Sequence, residues 1–177
     1  MPNHDGQMGK VSFPERYRLL HDCARMLIDE LQQEFMVERE DNVADPFTDK
    51  VSLVGQPVRL IPQRAGAGPL TVLFTDFPGV VARIGRWHTI PLPCCGCDAC
   101  AEDPGQLCEE LRRSVHALTS GAFSETFSAA RIGRSRLAYK MPDESGEETL
   151  QGDQVRDAKQ LGKPGTIHWE AWPLRSA

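Results

Sequence analysis

Apolar residues recur at three- and four-residue steps between about Phe13 and Arg39, where Leu20, Cys23, Met26, Leu27, Leu31 and Phe35 make one stripe. That spacing predicts an amphipathic helix. Ser12 with Glu15 three residues on fits a capping box, and Pro14 in the first turn loses no needed hydrogen bond. The acidic stretch from Glu38 to Asp49, closing near Gly55-Gln56-Pro57, reads as a loop. The period then changes to two. Val58 to Ile61 and Leu70 to Thr75 are predicted strands, and Phe77-Pro78-Gly79-Val80 suits a type II turn, with Gly79 taking the positive φ. Val80 to His88 follows as a third strand, with Ala82, Ile84, Arg86 and His88 on one face. The economical arrangement is an antiparallel meander packed on the first helix.

A second helix is predicted from Asp103 to about Thr119. Asp103 suits the N-cap, Pro104 the first helical position and Gln106 the reciprocal capping position, while Leu107, Leu111, Val115 and Leu118 supply a buried stripe and Gly121 the stop. Beyond it the pattern gives a short helical stretch over Phe123 to Ala130 and a strand over Arg131 to Met141. A helix over Leu150 to Leu161 and an edge strand over Thr166 to Trp172 complete the chain. The polar segments 1–11 and 142–149 are expected to be flexible. Residues 1–177 thus read as one α+β domain: an N-terminal amphipathic helix on a small antiparallel sheet, with a cysteine-rich loop leading into a second helix.

Composition narrows the function classes. The chain has 177 residues, a formal net charge of −5 and 40% hydrophobic residues, which is enough for one core. No run of eighteen apolar residues exists and the N-terminal MPNHDGQMGK is polar, so neither a membrane span nor a secretory signal is expected. That places the protein in the cytoplasm. The acidic balance, 25 acidic against 20 basic residues, argues against a nucleic-acid partner. A protein or small-molecule partner remains the expectation, and nothing specifies the oligomeric state.

The candidate chemistry is concentrated in PLPCCGCDACAED, residues 91–103, which holds four of the six cysteines. In a reducing compartment such crowding points to metal or redox chemistry rather than a disulfide framework. Two groupings are possible. Cys94, Cys97 and Cys100 follow the C-x-x-C-x-x-C spacing of iron–sulfur proteins and need a fourth thiolate, for which Cys108 is the candidate. Cys95, Cys97 and Cys100 form C-x-C-x-x-C, three corners of a tetrahedron suited to zinc, with His88 as candidate fourth ligand. A catalytic zinc would instead keep a water and use Asp98 or Glu102 as base, but thiolate-rich zinc is a poor Lewis acid. Thiol redox through Cys97-Asp98-Ala99-Cys100 is the enzymatic alternative, and inert thiols the plain one.

Other motifs carry less. His168-Trp169-Glu170 and Pro93-Cys94 have the residues of a zinc deaminase in the wrong order and spacing. No phosphate-binding glycine loop or nucleophile elbow occurs.

The run G-R-W-H at 85–88 and P-x-P-C-C-G-C-D-A-C at 91–100, with L-T-V-L-F-T-D-F-P-G upstream and a closing W-x-x-W-P, resembles a family of uncharacterised bacterial proteins known as a domain of unknown function. The resemblance implies that Cys95, Cys97 and Cys100 belong together with His88 and that Cys94 is incidental. It implies no activity.

Overall fold

In the computed structural model, which describes residues 9–46, 48–130 and 132–176, two antiparallel sheets and three helices alternate along the chain. After a 3-10 turn over Pro14–Arg18, helix α1 spans Leu19–Glu34 and buries Leu20, Cys23, Leu27 and Leu31 of the expected stripe together with Ala24 and Ile28, whereas Met26, also expected in the stripe, is exposed. The helix is shorter than its pattern suggested. At Phe35 the backbone becomes extended, the ring packs edge-on against Trp172 at 5.6 Å, and Val37–Asp41 continues as strand β1. Only Val37 of β1 is buried, so this edge strand leaves no alternating signal.

Strands β2 (Val58–Pro62), β3 (Leu70–Thr75), β4 (Gly79–Ile84) and β5 (His88–Leu92) extend β1 into a five-stranded antiparallel meander. Two turns differ from expectation. Gly79 does not take a positive φ; it opens β4 opposite Thr75, where a Cβ would lie 2.5 Å from the Leu92 carbonyl. The strand expected to run to His88 instead breaks at Gly85 (φ 73°), and the chain reverses so that His88 pairs with Ile84.

Helix α2 spans Pro104–Thr119 as anticipated, and the Asp103 side chain accepts from the Gln106 N–H at 2.9 Å. Leu111, Val115 and Leu118 meet α1 and the meander in the main core with Leu60, Leu70, Val72 and Ile84. A second sheet, ordered β8-β7-β6-β9, follows from Ser145–Leu150, Ser135–Lys140, Ser124–Ser128 and Gly165–His168. Helix α3, Gly152–Leu161, buries Ala158 in a smaller cluster with Trp87, Phe127 and Leu150. The segment expected to be helical at 123–130 is thus strand β6. The inward positions of β6 are Glu125 and Phe127, and the glutamate hides the alternation. The acidic stretch 142–149, expected as a loop, supplies most of β8, which pairs with β7 throughout but buries only Leu150. Of the other segment expected to be flexible, residues 1–8 lie outside the described residues. Among the described residues no helix is long and apolar enough to cross a membrane.

Candidate metal centre

Strand β5 ends at the buried Leu92, and α2 begins at Pro104, so residues 93–103 form a loop anchored at both ends by core elements. One carboxylate organises its interior. Glu102 accepts the backbone N–H groups of Cys94 at 2.9 Å, Cys95 at 3.1 Å and Gly96 at 2.8 Å. Gly96 adopts φ 71°, and a Cβ there would lie 2.6 Å from the Phe77 ring, so the loop can close this tightly only with glycine. Burial raises the Glu102 carboxyl, but the three N–H groups and nearby Arg16 outweigh it and hold the group below the usual range.

The N-terminal segment crosses the same loop. Lys10 accepts the Asp98 N–H at 2.8 Å, while Asp98 accepts the Ser12 N–H at 2.9 Å and its hydroxyl at 2.6 Å. Ser12 therefore straps the loop instead of capping α1. Its anticipated partner Glu15 pairs with Arg18. The Ser12 hydrogen bonds lower the Asp98 pKa. Asp98 and Glu102 are both committed to structure, which removes them as free bases beside the cysteines.

Within this frame the sulfur atoms of Cys95, Cys97 and Cys100 all lie within 4.8 Å of one another, with Cys97 and Cys100 at 3.4 Å. Zinc–sulfur bonds of about 2.3 Å in a tetrahedron imply a sulfur–sulfur edge of about 3.8 Å, inside that envelope. Cys97 is buried, whereas Cys95 and Cys100 are exposed. Hydrogen bonds from Cys95, from the backbone of Cys100 and Gly9 and from the Cys100 thiol pull the Cys97 pKa down to about 6, and sharing with Cys97 and Cys95 pushes Cys100 up to about 12. The lowering at Cys97 favours its thiolate, the form that binds metal.

The other candidates stand apart. Cys94 is exposed and outside the group. Cys108 is buried at the α1–α2 contact, with its sulfur 4.0 Å from the Leu19 carbonyl, and burial together with Cys23 pushes its pKa up to about 12. The spacing that enlisted Cys94 and Cys108 is not assembled. His88 opens β5 while the cysteines follow its far end, and four strand steps span about 13 Å. The structure does not bring His88 into the three-cysteine group. Its ring stacks on Tyr139 at 3.9 Å beside Phe123, in a cavity of about 290 Å³. Burial lowers its pKa to about 4, with Glu144 opposing.

Sequence reasoning missed Glu125. Only 2% exposed, this carboxylate accepts the N–H groups of Arg86, Trp87 and His88 at 2.6, 2.8 and 2.9 Å and the Trp169 indole N–H at 2.9 Å. It fixes the β4–β5 reversal to the second sheet. Burial raises its pKa and these donors oppose the rise. Trp172 donates its indole N–H to the Gly68 carbonyl at 2.9 Å, so both tail tryptophans close the core.

The fold and site define a small α+β protein carrying a three-cysteine group that could hold a metal ion. It belongs to a family of unknown function, DUF6226, whose model matches residues 2–176. Comparison with curated proteins and with solved structures returns no match.

Proposed function

We propose that the protein binds one zinc ion through the thiolates of Cys95, Cys97 and Cys100 and acts in the cytoplasm by binding a protein or small molecule rather than by catalysis. The observation that carries the reading is the convergence of three sulfurs on a loop braced independently by Glu102 and Ser12. Three thiolates supply three corners of a zinc tetrahedron and leave one position for a further ligand, and their sulfur–sulfur envelope fits zinc–sulfur bonds of about 2.3 Å. What supports a structural role is that both neighbouring carboxylates, Asp98 and Glu102, are engaged by serine and backbone donors. A bound ion would add folding free energy where the loop has few apolar side chains.

Elemental analysis of protein purified without added metal tests the reading. Near-stoichiometric zinc, lost on replacing Cys95, Cys97 or Cys100 by serine and retained in Cys94→Ser, supports it. Absence of stoichiometric zinc in the wild type overturns it.

A further inference from the structure

The geometry points to a second chemistry at the same loop: Cys97 and Cys100 form a dithiol that a hydroperoxide oxidises to a disulfide. Their sulfurs lie 3.4 Å apart, with the third cysteine of the group no further than 4.8 Å. A disulfide needs about 2.05 Å, so the gap to close is small. The surrounding backbone is held on both sides, by Glu102 at 94–96 and by Ser12 and Lys10 at Asp98, and the exposed Cys100 is free to supply the movement. Cys100 is exposed to a dissolved oxidant and Cys97 beside it is buried, whereas Cys23 on α1 and Cys108 on α2 are both buried.

The step balances as follows. The thiolate of one cysteine attacks a peroxide oxygen, forming an S–O bond and breaking the O–O bond, and the departing hydroxide takes up a proton to leave as water. The second sulfur attacks the first, forming the S–S bond and displacing the hydroxyl as another water. Two thiols and one hydrogen peroxide give one disulfide and two waters, with two electrons passing from sulfur to oxygen. Resting on the zinc reading above, the consequence is competition, since the disulfide removes two of the three thiolates and the ion leaves.

Metal-free wild-type protein treated with one equivalent of hydrogen peroxide, digested and mapped by mass spectrometry, tests the dithiol. Two of the six thiols should disappear into a Cys97–Cys100 crosslink, unchanged in Cys94→Ser and reversed by a dithiol reductant. A crosslink joining Cys94 to Cys95, or oxidised sulfurs without any crosslink, overturns the proposal. In zinc-loaded protein the ion should be released in step with the crosslink, and zinc that stays bound after the crosslink has formed overturns the competition. A chain that forms the crosslink yet never binds zinc sinks the metal reading alone and upholds the dithiol.

Discussion

Ser12 and Asp98 are joined twice, through the serine backbone N–H at 2.9 Å and its hydroxyl at 2.6 Å, across 86 positions of sequence. The pair fastens the chain ahead of α1 to the cysteine loop, next to the bond between the Asp98 N–H and the Lys10 carbonyl. Replacing Asp98 by alanine removes both acceptors. Hydrogen–deuterium exchange should then quicken in residues 94–102 and around Ser12 while α2 keeps its protection. Unchanged exchange at the loop would show that the strap does not restrain it.

Glu102 satisfies the three successive N–H groups of Cys94, Cys95 and Gly96. Glu102→Ala leaves them to water and loosens the positions from which Cys95 and Cys97 project. Loss of an outer group of this kind typically lowers metal affinity roughly 10- to 100-fold. Competition with a chromophoric chelator reads the change. Wild-type affinity in the variant would mean that the metal alone shapes the loop.

Glu125 offers a sharper stability test. Each of its oxygens accepts two N–H groups, so Glu125→Gln turns an amide NH₂ towards two donors. Leaving buried donors unpaired predicts a loss on the order of 2 to 4 kcal/mol in urea unfolding. A loss within about 0.5 kcal/mol, the range of ordinary surface changes, would contradict the role given to this carboxylate.

His88 predicts a pH dependence. Its folded pKa, about 4, lies below the ordinary value of 6.5, so between these values the unfolded chain binds more protons than the folded one. Stability from this group is present above pH 6.5 and is lost as pH falls towards 4. At about 1.4 kcal/mol per pKa unit the loss is on the order of 2 to 3 kcal/mol. His88→Phe keeps an aromatic ring beside Tyr139 without a titrating group, so its stability should fall less between pH 7 and pH 4. Equal declines in the two proteins would refute the assignment.

The sequence foretold the elements whose signals are local. Helix α2 carries its cap at Asp103 and its stripe from Leu107 to Leu118, and β3 carries Leu70 to Phe74, all buried. Where burial departs from apolarity, the pattern was silent. Edge strands β1 and β8 each bury one residue, and β6 turns the buried Glu125 inward. Spacing offered Cys95, Cys97 and Cys100 as one of two groupings, and the family resemblance favoured it. The bracing of the loop was not, because Glu102 and Ser12 act on backbone groups, and backbone hydrogen bonds across a fold leave no residue pattern. His88 looked close to the cysteines along the chain. The reversal at Gly85 moves it to the opposite end of β5.

X-ray absorption at the zinc edge of the purified protein tests the central claim most directly, because it counts the sulfur atoms around the ion. The account predicts a first shell with three sulfur scatterers at about 2.3 Å, unchanged in Cys94→Ser and His88→Ala proteins. A shell of nitrogen and oxygen only, or one that loses a scatterer in either variant, would contradict it.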